Sequence, residues 1–193
     1  MNLIEEIKDW QQNDGVETFR QMGVKSGDTV IDFGSGKGRY TITLANTVGK
    51  NGKVYALDIS QYALRELKRE NPPSNVYPVH TNHQGILDFE DESVDFIMIY
   101  DLIHQIDSIR TTFIQEAYRV LKKGGKLSVL PFHVSSREYQ IMSKQIMDKG
   151  FREIEKYPQS GIHFEMHEWL HGSRGHLKDI EKGTIYNYRK KTI

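Results

Sequence analysis

One pattern constrains the fold of this 193-residue chain more than any other: apolar, β-branched runs alternate with segments of helical period. Between the runs, apolar residues recur at helical spacing, and one such stripe consists of Tyr40, Leu44, Ala45 and Val48. Runs that are apolar throughout are typical of parallel strands covered by helices on both faces. The alternation therefore predicts an α/β domain around a mostly parallel sheet. The predicted strands are residues 28–33, 53–58, 75–80, 94–101 and 125–132.

The C-terminal part of the chain departs from this alternation. Residues 151–157 and 184–191 read as two further strands, and no helix of ordinary length is evident between them. A hairpin whose last strand runs antiparallel to the sheet would account for this order. The segment between, residues 160–183, is polar and interrupted by glycines, which predicts an insertion outside the core.

The N-terminus carries a short amphipathic pattern. Leu3, Ile4, Ile7 and Trp10 follow helical spacing ahead of the first strand. We expect residues 1–15 to form a helix that lies across the domain as a lid. Because a chain of this length holds one well-buried core, we predict a single domain over residues 1–193.

Charge and cysteine content argue against several classes of protein. Lys+Arg and Asp+Glu number 26 each, so no overall electrostatic field attracts nucleic acid or an anionic membrane. The chain has no cysteine, which excludes disulfides, thiolate metal sites and a cysteine nucleophile. No stretch approaches the roughly eighteen apolar residues of a membrane span, and the mixed-charge N-terminus is unlike a signal peptide. We therefore expect a cytoplasmic protein without a nucleic-acid or membrane partner.

The sequence VIDFGSGKG at residues 30–38 marks the turn from the first strand into a helix. Glycines there let the backbone turn sharply and bring its N–H groups close to a ligand. A dinucleotide loop, G-x-G-x-x-G, is disfavoured because Arg39 occupies its last position. A phosphate-binding loop is excluded because Lys37 is followed by Gly38 instead of serine or threonine. What remains is the pattern D-x-G-x-G-x-G, with Asp32 at the end of the strand.

Two carboxylates favour a positively charged nucleoside as the ligand of this loop. Asp32 lies beside the loop, where a carboxylate repels pyrophosphate and attracts an ammonium or a sulfonium. Asp58 ends the next strand, where a carboxylate can accept hydrogen bonds from both hydroxyls of a ribose. Each feature alone also occurs as a tight turn or a helix cap, but their joint spacing favours a ligand site.

Four stretches together resemble the successive motifs of class I S-adenosylmethionine-dependent methyltransferases. They are VIDFGSGKGRYTITLA, VYALDIS, LDFEDESVDFIMI and EAYRVLKKGGKLSVL, within about residues 14–158. The resemblance is to the methyltransferase type 11 group, which includes the ubiquinone- and menaquinone-pathway enzymes. It implies a Rossmann-like three-layer sandwich with a seven-stranded, mostly parallel sheet and an antiparallel last strand. It also implies S-adenosyl-L-methionine as the cofactor.

The family pattern implies roles for the loop and for the neighbouring strand ends. The loop would pass against the methionine and ribose portions of the cofactor, and Asp58 would hold the ribose hydroxyls. Ile59 would pack on the adenine, and the backbone carbonyl of Tyr100 would accept a hydrogen bond from the methionine ammonium. The loop residues in this prediction are Asp32, Gly34, Ser35, Gly36 and Gly38.

One position departs from the family pattern. Family members commonly carry an aspartate after the third strand that contacts the adenine amino group, whereas Asn82 and His83 stand here. A neutral ring nitrogen of His83, or the carbonyl of Asn82, can accept the same hydrogen bond. We predict His83 for this contact, and the departure bears on the adenine contact alone.

Methyl transfer from a sulfonium needs a base more than it needs an electrophile. The methyl group is already activated, so the protein must align the nucleophile, exclude water and remove a proton. The base is expected just beyond the fourth strand, in YDLIHQI, where His104 is the first candidate and Asp101 the second. The alternative for His104 is a structural role in the loop before the helix predicted at 107–122. This chemistry needs no metal.

A second group of histidines lies in the predicted C-terminal insertion. HFEMHEWLH places His163, His167 and His171 on one face if the segment is helical, and such a triplet could bind zinc. The spacing is not that of H-E-x-x-H, so a solvated or substrate-lining surface is favoured over a metal site. Bulky side chains that could wall an acceptor pocket are Trp10, Phe132, Phe164, Met166 and Trp169.

Missing motifs favour a small-molecule acceptor. The motif N/D-P-P-Y/F, which marks amino-methylating enzymes acting on nucleic acids and proteins, does not occur, and NPP at residues 71–73 reads as a helix stop. The sequence thus predicts methyl transfer to an O, N or C nucleophile of a small molecule. The alternatives are a regulatory module that binds the cofactor without turnover and, far less favoured, a nucleotide-dependent oxidoreductase.

Overall fold

The computed structural model describes residues 3–82, 84–164 and 180–191. Helices and strands alternate through the central part of the chain, as the sequence predicts. The helices are α1 Leu3–Gln12, α2 Asp14–Gln21, α3 Arg39–Val48, α4 Gln61–Arg69, α5 Arg110–Val120 and α6 Ser136–Asp148. The strands are β1 Thr29–Phe33, β2 Lys53–Asp58, β3 Val76–His80, β4 Val94–Tyr100, β5 Leu121–Leu130, β6 Phe151–Phe164 and β7 Ile180–Lys190.

The strands form one seven-stranded sheet in the order β3-β2-β1-β4-β5-β7-β6. Strands β1 to β5 pair in parallel. Strand β7 lies between β5 and β6 and is antiparallel to both. The predicted α/β class, the mostly parallel sheet and the antiparallel last strand are therefore confirmed. The strand order reverses between β1 and β4, and in such sheets a crevice opens outside the carboxyl ends at this point.

Alternate side chains of the central strands pack on opposite faces of the sheet. On β4, Ile97 and Ile99 join the cluster under α5 and α6, whereas Phe96 and Met98 join the cluster under α2 and α3. All four side chains are buried. This two-sided burial explains why the strands read as continuous apolar runs in the sequence.

Two helices, α1 and α2, precede β1, whereas the sequence predicts one. The first, α1, packs against α2 and the start of α3: the Trp10 and Tyr40 ring centroids are 5.6 Å apart. The Gln11 side-chain amide donates to the Arg39 carbonyl at 2.8 Å. Because Arg39 directly follows the glycine loop, α1 lies next to that loop. Its action as a lid stays a prediction.

Some boundaries differ from the sequence-based prediction. Helix α5 begins at Arg110 instead of residue 107, because the chain before it forms a tight turn in which the Ile109 N–H donates to the Ile106 carbonyl at 3.0 Å. Strands β6 and β7 extend to Phe164 and Ile180, so both flanks of the predicted insertion are strand. Residues 165–179 lie outside the described part of the chain. Among the residues described, no helix combines the length and apolar character needed to cross a membrane.

Candidate functional site

A cleft of about 440 Å³ opens at the carboxyl ends of β1, β2 and β4, where the strand order reverses. This volume is in the usual range for pockets that hold small molecules. Its walls combine apolar side chains with a few polar groups. The lining residues are Phe33, Gly34, Leu57, Asp58, Ile59, Ser60, Thr81, Asn82, Tyr100, Asp101, Leu102, Ile106 and Ile109.

Gly34, at the start of the glycine loop, lines this cleft, and the loop is fixed to β2. The Gly34 and Ser35 N–H groups both donate to the Leu57 carbonyl, at 2.8 and 3.0 Å. Gly34 has φ +84°, and a Cβ there would lie 2.3 Å from Cδ2 of Leu102. Gly36 has φ +53°, and apart from Gly36 and its two chain neighbours, no atom of the described residues lies within 4 Å of the place where its Cβ would stand. The backbone at Gly36 is thus open to a ligand.

Asp58 joins the glycine loop to the start of α4. One oxygen of its carboxylate accepts from the Gly36 N–H and the other from the Ser60 N–H, both at 2.7 Å. Each carboxylate oxygen has a second lone pair, so the group can accept further hydrogen bonds from a ligand. The structure therefore holds Asp58 in place with backbone donors and leaves it on the cleft wall.

Asp32 is a buried carboxyl beneath the loop. Its side chain is buried and accepts a 2.6 Å hydrogen bond from the Thr41 hydroxyl, on the first turn of α3. Burial raises the pKa of Asp32 to about 7; the Thr41 hydrogen bond opposes this rise and the nearby Asp58 charge adds to it. A cation bound close by would favour the ionised form of Asp32.

Ser35 and the apolar wall also suit a nucleoside. The Ser35 hydroxyl oxygen is buried and has no hydrogen-bond partner among the described residues, which leaves a donor and acceptor for a ligand. Ile59 lines the cleft with about half of its side chain exposed (48%), and Ile106 and Ile109 line it too. A flat apolar ring could pack against such a wall.

Tyr100 lines the cleft, and its phenol group lies in the core. The phenol oxygen lies 2.8 Å from the Ser128 hydroxyl and donates to the Met22 sulfur at 3.7 Å, inside the core. Burial raises the pKa of the Tyr100 phenol well above its usual value. The phenol is therefore buried in the core, and the backbone carbonyl is the group of Tyr100 to which a ligand could donate a hydrogen bond.

Gly38 is not among the residues that line the cleft. It is the residue before α3, and a Cβ there would lie 2.3 Å from Cδ1 of Leu67 on α4. Its small size thus allows α3 and α4 to pack closely. The predicted ligand contact of Gly38 stays a prediction.

The two predicted acceptor-side residues occupy different places. Asp101 lines the cleft directly after β4 and has a left-handed backbone, with φ +51°. His104 instead lines a second hollow of about 230 Å³, together with Arg110 and Glu138 among others. Its Nδ1 atom is buried and has no hydrogen-bond partner among the described residues.

His133 lies in this region and is absent from the sequence-based site. Its Nε2 atom is 4.0 Å from an Asp101 carboxylate oxygen, and its ring centroid is 6.1 Å from that of His104. Like Asp101, it has a left-handed backbone, with φ +58°. A sequence signal does exist: His133 follows β5 as closely as His104 follows β4, and the carboxyl ends of parallel strands meet at one edge.

Several predicted residues cannot be placed. His83, His167, His171, Met166 and Trp169 lie outside the described residues, as do the side chains of His163 and Phe164. Within the described ranges, no three histidine or carboxylate side chains are grouped as a metal site would require. The adenine contact of His83 and the role of the histidine group remain predictions.

Comparison with known proteins gives matches over most of the chain. The sequence profile described as "Methyltransferase domain" matches residues 31–129. A demethylmenaquinone methyltransferase of Oceanobacillus iheyensis is 30% identical over 122 residues, which is 62% of this chain and 49% of that protein. A demethylmenaquinone methyltransferase of Staphylococcus saprophyticus is 30% identical over 183 residues, 92% of this chain and 74% of the relative.

Solved structures give the same fold. The crystal structure of a SAM-dependent methyltransferase from Aquifex aeolicus matches with a TM-score of 0.68 and 20% sequence identity, over 96% of both chains. At this identity the match shows the fold alone. The chain spans about half the length of several relatives that it matches, including the Oceanobacillus protein.

Proposed function

Because the chain belongs to the methyltransferase domain family, we propose that it transfers a methyl group from S-adenosyl-L-methionine to a small-molecule acceptor. One observation carries the proposal: the Asp58 carboxylate is held by the Gly36 and Ser60 N–H groups on the wall of the cleft. A fixed carboxylate beside an open glycine backbone suits a ribose.

The described residues fit this cofactor. Asp58 would accept the ribose hydroxyls, and the apolar wall at Ile59 would pack on the adenine. Asp32, the Ser35 hydroxyl and the Tyr100 carbonyl would surround the methionine portion, whose ammonium and sulfonium are both cationic. When bound, the cofactor supplies an activated methyl group; the chain's own residues orient it, exclude water and receive the acceptor's proton.

The names of the relatives point to a quinone-type acceptor. Demethylmenaquinone methyltransferases are named for a 1,4-naphthoquinone, whose reduced form is a diol. Removing a proton from one hydroxyl of such a diol makes the neighbouring ring carbon nucleophilic, so a base on the acceptor side is needed. We propose a reduced quinone or a similar hydroxylated aromatic compound as the acceptor, methylated on carbon or oxygen.

Asp101 and His104 are the proposed acceptor-side groups from the sequence. Asp101 fits directly because it lines the cleft, whereas His104 faces the neighbouring hollow. We expect His104→Ala to lower kcat far more than cofactor affinity if His104 is the base. An unchanged kcat would leave His104 with a structural role.

A turnover assay tests the proposed function. The protein is incubated with S-adenosyl-L-methionine and 2-prenyl-1,4-naphthalenediol, the reduced form of demethylmenaquinone, beside a catechol and a primary amine. Mass spectrometry should detect a methylated diol and an equal amount of demethylated cofactor, and Asp58→Asn should lower the yield of both when the cofactor is below saturation. Cofactor binding without any methylated product would instead support a regulatory module.

A cytoplasmic location and the lack of a nucleic-acid partner remain parts of this proposal. Cell fractionation and a gel-shift assay with ribosomal and transfer RNA would test them. Recovery in the membrane fraction, or a shift at physiological salt, would contradict them.

A further inference from the structure

We infer that Asp101 and His133 form the acceptor-side base of this enzyme, with His133 as the group that takes the proton and Asp101 as its carboxylate partner. The inference rests on the proposed methyl transfer and names residues for its proton-removal step. It differs from the sequence-based expectation, in which His104 is the first candidate for the base.

The first observation is the backbone at the two strand ends. Strands β4 and β5 are neighbours, and Tyr100 is paired with Leu130 at their carboxyl ends. The next residue, Asp101, donates its N–H to the Leu130 carbonyl at 2.8 Å and adopts φ +51°. His133 adopts φ +58° shortly after β5. Left-handed residues other than glycine are uncommon and cluster where a side chain must be aimed for function.

The second observation is the direction in which these side chains are aimed. His133 Nε2 lies 4.0 Å from an oxygen of Asp101, and Asp101 lines the cofactor cleft. This distance is too long for a hydrogen bond, but such contacts often shorten when substrate binds. Asp101 thus connects the cleft to His133. Because Nε2 faces the carboxylate, we assign Nδ1 of His133 as the nitrogen that takes the proton.

The third observation distinguishes His133 from His104. More than half of the His133 side chain is exposed (53%), so an acceptor that enters from solvent can reach it. His104 lines the second hollow, beside Glu138, and its Nδ1 is buried. The titratable groups around His133 include Asp101 and His104, with Glu138 beyond His104.

The proton-removal step balances without a further reactant. The acceptor hydroxyl gives its proton to Nδ1 of His133, and the negative Asp101 carboxylate stabilises the imidazolium that forms. The electron pair left on the acceptor would form the new bond to the methyl group, either from the oxygen or, through the ring, from the neighbouring carbon. In the second case that carbon would then lose its hydrogen as a proton while the oxygen regains one, and in both cases the demethylated cofactor would keep the electron pair of the broken sulfur–methyl bond. His133 later releases the proton to solvent.

Four variants and the wild-type protein test this inference with the naphthalenediol as acceptor. They are His133→Gly, Asp101→Asn, the double variant and His104→Asn. Glycine suits the left-handed backbone at position 133 and leaves space for free imidazole. The measurements are kcat and KM from pH 5.5 to 9, kcat with added imidazole, and calorimetric affinity for the demethylated cofactor.

We expect His133→Gly to lower kcat about 100-fold, a typical contribution of a general base. Added imidazole should restore part of this rate, and the loss of rate at acid pH should disappear. Asp101→Asn should lower kcat by a smaller factor, and the double variant should be no worse than His133→Gly. Cofactor affinity should stay within about twofold in His133→Gly and in His104→Asn, because neither side chain lines the cofactor cleft.

Three results would overturn the inference while the proposed function stands. The first is a wild-type kcat in His133→Gly, and the second is a lowered kcat in that variant that imidazole does not restore. The third is that the fall of the rate at acid pH disappears in His104→Asn and not in His133→Gly. A wild-type protein that binds cofactor but methylates no acceptor would overturn the proposed enzyme function and this inference together.

Discussion

The two halves of the candidate site are built in different ways. The cofactor half, defined as residues 32–36 with Asp58 and Ile59, is fixed by backbone hydrogen bonds between neighbouring strand ends. The acceptor half, defined as Asp101, His104 and His133, depends on side chains aimed from two loops. The first needs glycines and a carboxylate at set positions, whereas the second needs two strand ends that lie side by side and left-handed residues that aim the side chains.

This difference separates cofactor binding, which depends on the backbone framework, from the choice of acceptor, which depends on loop side chains. Most substitutions leave a backbone N–H in place, so the donors that fix the loop and Asp58 persist when the surrounding side chains change. Side chains on loops change without disturbing the sheet, so the acceptor half is where substrate choice can vary. Variants that disturb each half in turn should therefore have separable effects on binding and on turnover.

The largest effect on the cofactor half is expected from Gly34→Ala. The new Cβ would lie 2.3 Å from Cδ2 of Leu102, so the side chain of Leu102, which lines the cleft, must move. We expect at least about a 100-fold loss of cofactor affinity and about 2 kcal/mol lower unfolding free energy. Calorimetric titration and urea unfolding measure the two effects.

Gly27→Ala is the matched control for this variant. Gly27 has φ +89°, close to that of Gly34, but no atom lies within 4 Å of its added Cβ. Gly27→Ala places alanine in a left-handed backbone without a clash, so it should lower the unfolding free energy and leave cofactor affinity unchanged. Equal losses of affinity in both variants would show that close packing at Gly34 does not shape the cleft.

A smaller effect is expected from Asp32→Asn, and it should depend on pH. Ionised Asp32 attracts the cationic methionine portion, so wild-type affinity should rise between pH 6 and 8, across its pKa of about 7. Asp32→Asn should bind about tenfold more weakly at pH 8 and show little pH dependence. Titrations at four pH values test this; parallel curves for the two proteins would contradict it.

The same carboxyl makes a prediction for the stability of the ligand-free protein. Its pKa is raised from 3.8 to about 7 on folding, so between these values the folded chain holds a proton that the unfolded chain has lost. The contribution of Asp32 to the unfolding free energy therefore falls as pH rises from 4 to 7. Asp32→Asn should lack this contribution and be relatively more stable at pH 8, as measured by urea unfolding at both ends of the range. An identical pH dependence of the unfolding free energy in wild type and in Asp32→Asn would refute this prediction.

A smaller effect is expected from Ser35→Ala. The Ser35 hydroxyl is buried and has no partner among the described residues, so its removal should cost the free protein nothing and weaken cofactor binding about fivefold. Ser93→Ala is a suitable control, because the Ser93 hydroxyl donates to the Glu90 carbonyl at 2.7 Å outside the cleft. Unchanged affinity in Ser35→Ala would remove this hydroxyl from the cofactor half.

The smallest effect on binding is expected from Tyr100→Phe. The phenol bonds to Ser128 in the core, so its removal should lower unfolding free energy by about 1 kcal/mol. Cofactor affinity should not change, because only the backbone of residue 100 is available to the ligand. Thermal unfolding and calorimetry measure both quantities; a clear loss of affinity would mean that the side chain takes part in binding.

The sequence predicts most of the cofactor half because its signals are local. Gly34, Gly36 and Asp58 stand at strand ends that apolar runs mark clearly, and parallel pairing brings those ends together. The same runs predict the strands and, with the irregular C-terminal order, the antiparallel β7. The hydrogen bonds from Gly36 and Ser60 to Asp58 need the structure, since no residue pattern specifies which oxygen meets which N–H.

The acceptor half is predicted less well because its contacts join distant parts of the chain. Asp101 is found from its place after β4, but its approach to His133 depends on β4 and β5 lying side by side and on two left-handed residues. No local motif signals such conformations at aspartate or histidine. Helix α2 is missed for another reason: it follows α1 after a single residue, Asn13, with no proline to mark the break.

The most direct test of the central claim is a calorimetric titration with the demethylated cofactor, S-adenosyl-L-homocysteine. The account predicts one site per chain with a dissociation constant on the order of micromolar. Asp58→Asn should weaken binding by at least about 30-fold, because charge-assisted hydrogen bonds are lost, while Asp88→Asn, at an exposed aspartate outside the cleft, should bind like wild type. No detectable heat up to millimolar ligand, or equal affinity in Asp58→Asn, would contradict the account.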